Sequence, residues 1–240
     1  MKSISLICTV HEETGHANVS QLHLILERLN PQVIFLEVPE SAMDDFYRTG
    51  HRRNLESTAI REFRERNRLE LIPVDLPTPH ESFFRDSNNL FKRIEGISSS
   101  GYRRLKLWDT NYVRDHGFAY LNSEYSEKMW SDIYDEMQAV IEKLNEPSLT
   151  RLFDQWVEAN DLRENEMLRN IKQYCSSNSF HTGAFLIGAA HRKSVIKKIR
   201  KVFDECSSNV QWDCDGRTNN LFGIKQNKSM VSTPEATLLP

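Results

Sequence analysis

The sequence predicts an α/β fold with a central, mostly parallel sheet flanked by helices. Short apolar runs rich in branched side chains recur along the chain, and amphipathic helical patterns separate the first three of them. A long helical stretch precedes the fourth apolar run. Strands that are covered by helices on both faces have continuous apolar sequences rather than alternating ones, and these runs fit that description.

The first third of the chain has the order β-α-β-α-β. Residues 3–10 (SISLICTV) are typical of a buried strand, and a helical pattern over 18–30 begins at Asn18, a suitable N-cap. Pro31 ends that helix, and QVIFLEV follows as a second strand. This arrangement predicts that the first two strands form a parallel pair with a right-handed crossover. A charged helix over 55–68 then leads to a third strand, LELIPVDLP.

The middle of the chain is predicted to be helical. The stretch 124–144 carries one apolar face, Pro147 breaks it, and a second helix covers 148–174. We expect 82–174 to form a helical insertion over the carboxyl ends of the strands. GAFLIGA then forms a fourth strand, a helix follows, and residues 210–225 supply one more strand. The prediction is one α/β domain over 1–240, with a flexible tail over about 228–240.

Composition and charge disfavour several classes of partner. The 240 residues carry a formal net charge of -3, so no excess of positive charge exists to neutralise nucleic-acid phosphates. No run approaches the roughly 18 apolar residues of a membrane span, and no signal peptide is apparent. The four cysteines form no CxxC pair. A cytoplasmic protein with reduced thiols, bound to neither nucleic acid nor membrane, is therefore expected.

Ionisable side chains follow four of the predicted strands. His11 and Glu12 follow the first strand, Glu37 the second, Asp75 the third and His191 the late one. In open α/β sheets ligands bind at the carboxyl ends of the strands. The convergence of these groups predicts a functional site there.

Other residues are candidates for contacts with a substrate. Gly188 begins a tight turn into a helix, where small residues let a ligand approach and a helix N-terminus favours an anion. Arg192 adds positive charge at that turn, and His16 on a glycine turn is a reserve candidate. Arg163 in DLRENEMLRNIKQY could bind a carboxylate or phosphate, or orient Glu37. The predicted substrate-binding set is Asp75, His16, Gly188 and Arg192.

The sequence lacks several short motifs that identify common enzyme classes. The chain has no GxSxG, Walker, GxGxxG or HExxH motif, and Cys8 lies inside a predicted buried strand. Two histidines and a carboxylate, His11, Glu37 and His191, could fill three positions of a catalytic metal and leave one open. A metal-free histidine mechanism is equally compatible with the sequence.

The order of these motifs resembles the TraB/PrgY/Tiki superfamily, which also takes in GumN-like, ChaN-like and erythromycin-esterase-like proteins. Residues 8–11 (CTVH) resemble its first Gly-x-x-His motif with cysteine in place of glycine, and 188–191 (GAAH) keep the second. Glu37 matches the strand-two glutamate, Asp75 the strand-three aspartate, and Arg163 in RENEMLRNI the helical arginine.

The resemblance implies an α/β core with a helical insert and a shared polar site. Some members are described as divalent-metal-dependent proteases and some as macrolide-ring esterases, while others bind haem or regulate peptide pheromones. It favours a hydrolase of peptide or ester bonds that acts on a small molecule or peptide, with Mn, Co or Zn as candidate metals. The predicted catalytic residues are His11, Glu12, Glu37, Arg163 and His191.

In this hypothesis Glu37 or Glu12 activates water, and Arg163 or His191 steadies the oxyanion. The alternatives are a non-catalytic protein that binds a small anionic ligand, a peptide or haem, and an interaction protein that works through its helical insert. The long amphipathic helices of the insertion could also pack between the subunits of a homo-oligomer.

Overall fold

The computed structural model describes residues 1–77, 81–97, 100–204, 209–216 and 220–222. It confirms the α/β fold. The elements are β1 (Lys2–Thr9), α1 (Val19–Leu29), β2 (Val33–Leu36), α2 (Leu55–Arg64), β3 (Glu70–Pro73), α3 (Glu81–Ile97), α4 (Ser100–Leu121), α5 (Glu124–Leu144), α6 (Pro147–Ser177), β4 (Thr182–Gly188), α7 (Arg192–Asp204) and β5 (Val210–Asp213). A 3-10 turn (Glu40–Ala42) and a π-helical turn (Asp44–Arg48) follow β2, and another 3-10 turn (Ala189–His191) follows β4.

The sheet is parallel throughout its described strands, in the order β3-β2-β4-β1-β5. The predicted direct pairing of the first two strands is therefore wrong, because β4 lies between them. It pairs with β1 over Ser3–Thr9 and with β2 over Val33–Leu36. The five residues Gly183–Ile187 are all buried, so the centre of the sheet is the position that hides most of their apolar surface.

The adjacent strands β1 and β4 mark the point where the winding of the sheet reverses. The chain leaves β1 in the direction of β2 and leaves β4 in the opposite direction, toward β5. Right-handed crossovers place the helices of the two directions on opposite faces. Accordingly α1 packs on α2, and α6 packs on α7. A crevice at the carboxyl ends of β1 and β4 is the usual ligand position in such a sheet.

The helices α3 to α6 have an apolar core of their own, separate from the core around the sheet. The predicted apolar face of α5 is buried there through Met129, Ile133, Met137, Val140 and Ile141. The helix α4 is kinked at Gly117, whose φ is 52°. A Cβ atom at that position would lie 2.4 Å from the carbonyl oxygen of His16, so glycine is needed where α4 meets the loop after β1.

Asn122 completes the open edge of β1. The strand β5 pairs with residues 2–5 of β1, so no strand among the described residues lies beside the backbone of Cys8 on that side. Asn122 Oδ1 accepts a hydrogen bond from the Cys8 N–H (2.7 Å), and its Nδ2 donates to the Cys8 carbonyl (3.1 Å). The Asn122 amide supplies the two hydrogen bonds that a neighbouring strand would otherwise make with Cys8. It also attaches the end of α4 beside the residues that follow β1.

Two further sequence predictions concern the ends of the fold. The last strand forms from NVQWDC, as β5 shows, whereas the predicted flexible tail over 228–240 lies outside the described residues.

Among the helices that the structure describes, none combines the length and apolar character needed to cross a bilayer.

Asn122→Ala is expected to destabilise the fold by about 2–4 kcal/mol, because it leaves the N–H and carbonyl of a buried strand residue without partners. Urea unfolding followed by circular dichroism measures this change. Asn165→Ala, at an exposed position on α6, is the matched control and should shift the midpoint little. Equal midpoints for the two variants would show that Asn122 does not hold β1.

Candidate functional site

Arg163 joins two of the predicted strand-end carboxylates. Its Nε and Nη2 donate to the carboxylate of Asp75 at 3.1 and 2.7 Å, and Nη2 also donates to Glu37 Oε1 at 2.8 Å. Asp75 and Glu37 are buried at the ends of neighbouring strands, and α6 carries Arg163 across both of them. Such charge-assisted hydrogen bonds offset the cost of burying the two carboxylates.

Both carboxylate oxygens of Glu37 are in contact with hydrogen-bond donors. The N–H of Gly188 donates to its Oε2 (2.6 Å), and His191 Nε2 lies 3.4 Å from its Oε1. Burial opposes ionisation of this carboxyl, but His191, Arg163 and the Gly188 N–H hold its pKa far below the usual range. Glu37 is therefore a permanent anion at this site and a weak base.

His191 lies between two glutamates. Its Nδ1 is 2.7 Å from Glu164 Oε1, and its Nε2 faces Glu37. Burial alone lowers the pKa of an imidazole, but the charges and hydrogen bonds of Glu37 and Glu164 outweigh it and raise the pKa of His191 to about 9. His191 is thus an imidazolium at neutral pH.

Glu164 is a site residue that sequence reasoning missed. It accepts hydrogen bonds from Ser194 Oγ (2.5 Å) and Lys198 Nζ (2.8 Å) in addition to its contact with His191. The local sequence does not distinguish Glu164 or Lys198 from the solvated residues of other charged helices. Only the packing of α6 on α7 brings them together.

A second histidine–glutamate pair lies at the end of β1. His11 Nδ1 is 3.1 Å from Glu56 Oε1, and Thr9 Oγ1 donates to that same oxygen at 2.7 Å. The hydrogen bond with Glu56 raises the pKa of His11 against the opposing effect of burial, and the charges of Glu37 and His191 also act on it. The side chain of His11 is 67% exposed, whereas that of Glu56 is only 7% exposed.

Glu56 was also missed, because a glutamate in the first turn of a charged helix is usually a solvated end residue. The start of α2 is instead fixed to the loop after β1, since the Leu55 N–H donates to the His11 carbonyl at 3.0 Å. The N-terminus of α2 is capped by reciprocal hydrogen bonds between Asn54 and Ser57, which form a capping box. A bond between a loop and a distant helix leaves no local signal in the sequence.

Three predicted residues lie apart from this network. Glu12 is exposed, and its side chain contributes no hydrogen bond to it. His16 lines a separate cavity of about 300 Å³ with Asp115 and His116. Arg192 is 1% exposed and pairs with Glu127 at 2.9 Å, so it supports the fold rather than facing a ligand. The substrate contacts expected of His16 and Arg192 have no support from this placement.

The donor set does not fit the predicted metal. Both ring nitrogens of His191 face carboxylates, and the oxygens of Glu37 accept from Arg163 and Gly188. Within the described ranges no group of three or more His, Cys, Asp or Glu side chains is arranged to hold a metal ion. Dependence on Mn, Co or Zn stays a prediction without geometric support.

A cleft of about 750 Å³ opens beside His191, between α5, α6 and the turn after β4. Tyr134, Phe153 and Trp156 form an aromatic wall, with ring centroids of neighbours 5.6 to 6.1 Å apart. No lysine or arginine is among the described residues that line it. Six carboxylates do line it: Asp135, Glu142, Asp154, Glu158, Asp161 and Glu164.

Comparison with known proteins gives no match. No protein-family model matches the chain, and neither a curated protein nor a solved structure does so. The resemblance to the TraB/PrgY/Tiki superfamily therefore rests on the order of the motifs alone, and the function has to be argued from the geometry of the site.

The free energy of unfolding is expected to fall as pH rises from about 6.5 through about 9. The pKa of His191 is higher in the folded than in the unfolded chain, so its charged contacts contribute fully below the unfolded value and are lost as the folded imidazolium deprotonates. The loss should be on the order of 1–3 kcal/mol. Urea unfolding at a series of pH values measures it.

His191→Gln should flatten this decline, whereas His181→Gln at an exposed position should retain it. Curves for wild type and His191→Gln that run parallel from pH 6.5 to 9 would show that His191 is not held as an imidazolium.

Proposed function

We propose that the protein is a hydrolase of ester or peptide bonds that uses its two histidine–glutamate pairs as base and acid. One observation carries this proposal: His11–Glu56 and His191–Glu164 both lie at the ends of the adjacent central strands, beside the ionised Glu37. The two pairs differ in burial and in charge, and such a difference suits opposite roles in proton transfer.

His11 is the base. Glu56 accepts from Nδ1 and leaves Nε2 as the basic nitrogen, the arrangement that orients the histidine in hydrolases with a histidine–carboxylate pair. The raised pKa makes the imidazole a stronger base, and its exposure gives a substrate access to it. A histidine that a carboxylate orients through one ring nitrogen, and whose other nitrogen a substrate can reach, has the geometry that general base catalysis requires.

His191 is the acid. It carries a proton at neutral pH, and the Nε2 contact with Glu37 is the longer of its two contacts. In the reaction the oxygen of water bonds to the carbonyl carbon and its proton passes to His11. The C–O or C–N bond then breaks, and the leaving group takes the proton of His191. Glu37 holds His191 charged and does not itself activate water, since a carboxyl of very low pKa is a weak base.

The cleft beside His191 is the place for the rest of the substrate. Apart from Asp161 and Glu164, which pair with Lys198, the carboxylates of its walls repel an anionic ligand, and this disfavours the alternative of a binding protein for a small anion. Aromatic rings and carboxylates together suit a substrate that carries a positive charge on an apolar body. A peptide-binding protein without catalysis would use the same cleft but would need neither histidine–glutamate pair.

His11→Ala is expected to lower kcat/KM by about 10²–10⁴-fold, because it removes the base without disturbing the buried network around Glu37. The assay is a panel of chromogenic esters and fluorogenic peptides, with neutral and cationic members. His181→Ala removes an exposed histidine at the start of β4 and should retain wild-type turnover. A His11→Ala variant with full turnover on every substrate would refute the assignment, and binding without turnover by wild type would favour the non-catalytic alternative.

Asp154→Asn combined with Glu158→Gln is expected to raise KM for a cationic substrate about three- to tenfold, because two exposed charges on the wall of the cleft are lost. KM for a neutral analogue should stay unchanged. Glu62→Gln with Glu65→Gln removes the same charge from two exposed positions at the C-terminal end of α2 and is the control. An equal effect of both double variants would mean that the cleft does not select the substrate charge.

A further inference from the structure

The cleft beside His191 is elongated, because its two walls follow the axes of two helices. On α6 the lining residues run from Thr150 to Glu164, which at 1.5 Å per residue is about 21 Å. On α5 they run from Tyr134 to Glu142, which is about 12 Å. His191 lies at the Glu164 end. The cleft is therefore long enough to hold several residues of an extended chain.

Three of the carboxylates in this cleft have no partner among the described residues. They are Asp135 on α5 and Asp154 and Glu158 on α6, and their side chains form neither an ion pair nor a hydrogen bond with a described residue. Asp154 and Glu158 are four residues apart, so they lie on one side of α6 with about 6 Å between them along its axis. The wall thus presents two unpaired charges at a fixed spacing.

Apolar surface accompanies these charges. Phe153 and Trp156 belong to the aromatic wall, and Val157 beside them is 46% exposed. Lysine and arginine side chains pack their methylene stems on such surface while the charged end reaches a carboxylate, and aromatic faces attract the cation. The combination suits a basic side chain better than a bare inorganic cation, which has no apolar part.

Asn160 adds a hydrogen-bond donor to the same wall, between Glu158 and Glu164 along α6. Its Oδ1 accepts from Arg163 Nη1 at 3.2 Å, which leaves Nδ2 without an acceptor among the described residues. A peptide carbonyl is a suitable acceptor for that group. A polyamine has no carbonyl, and the carbonyls of a helix interior are already bonded. An extended peptide offers both free carbonyls and basic side chains.

We propose that this cleft binds an extended peptide with basic side chains at alternate positions. Every second side chain of an extended chain points the same way, with about 6.8 Å between them. This repeat is close to the axial spacing of Asp154 and Glu158, so one peptide can place a cation at each, while Asp135 faces it from α5. That such a peptide is also the substrate rests on the function proposed above.

The position of the charges relative to His191 predicts where a bound peptide is cleaved. Along α6, Glu158 and Asp154 lie about 9 and 15 Å from Glu164, which contacts His191. At about 3.4 Å per residue of extended chain, these distances correspond to about three and about four to five residues. Basic residues are therefore expected at about the third and fifth positions from the cleaved bond.

Binding is measured by fluorescence anisotropy with dye-labelled peptides of one composition, which differ only in the spacing of a pair of lysines in a neutral background. The isomer with alternate lysines should bind about two- to fivefold more tightly than the isomer with adjacent lysines, the gain of one exposed ion pair. Glu158→Gln should abolish this preference, because only one carboxylate of the pair remains. Glu62→Gln, at an exposed position of α2, is the matched control and should retain it.

Three results would overturn the peptide assignment. Equal binding of all isomers would mean that the charges of α6 do not select spacing. Tightest binding of the isomer with lysines four residues apart would identify a helical peptide instead. Displacement of the labelled peptide by spermidine at a lower concentration than by the unlabelled alternate isomer would identify a polyamine.

Mass spectrometry of the same mixtures tests whether the bound peptide is the substrate. The alternate isomer should be cleaved fastest, about three residues from the nearer lysine. Cleavage that ignores lysine spacing would support the hydrolase and overturn the inference about the cleft. Spacing-dependent binding without cleavage would support the inference about the cleft and count against the hydrolase.

Discussion

The guanidinium of Arg163 is the contact on which the rest of the site depends. It forms a fork on Asp75 and reaches Glu37, and it ties the helical insertion to the ends of β2 and β3. Two largely buried carboxylates that share one guanidinium need its positive charge, because a buried charge without a partner is costly. His191 and Arg163 together keep Glu37 ionised, Glu37 in turn helps to hold His191 as an imidazolium, and Glu164 with Lys198 balances His191 from the other side. Positive and negative groups therefore alternate from Arg163 through Glu37, His191 and Glu164 to Lys198.

The two histidines follow the same kind of turn but have opposite environments. His191 is enclosed between two carboxylates, while His11 touches one carboxylate and is otherwise open to solvent. The enclosed ring carries a proton at neutral pH, and the open ring has a nitrogen that a substrate can reach. This difference, rather than the presence of two histidines, is what the proposed division into acid and base rests on.

The helical insertion contributes to both the site and its surroundings. Through Arg163 and Glu164 it supplies charge at the ends of the strands, and through α5 and α6 it forms the aromatic and acidic walls of the cleft. These helices pack against one another in a separate apolar core where they overhang the sheet. An overhang of this kind gives the chain a defined pocket next to the groups that would carry out proton transfer.

The sequence by itself determined the strands, most of the helices and the groups at the strand ends, because apolar periodicity, caps and breakers act over a few residues. The Asn18 cap, the apolar face of α5 and the meeting of Glu37, Asp75, Arg163 and His191 could all be predicted in this way. The tertiary structure decided which strand lies between β1 and β2, which carboxylate faces each histidine, and that Arg192 points away from the site. Those outcomes depend on contacts between residues tens of positions apart, and a charged residue on a helix has the same local sequence whether it meets water or a histidine.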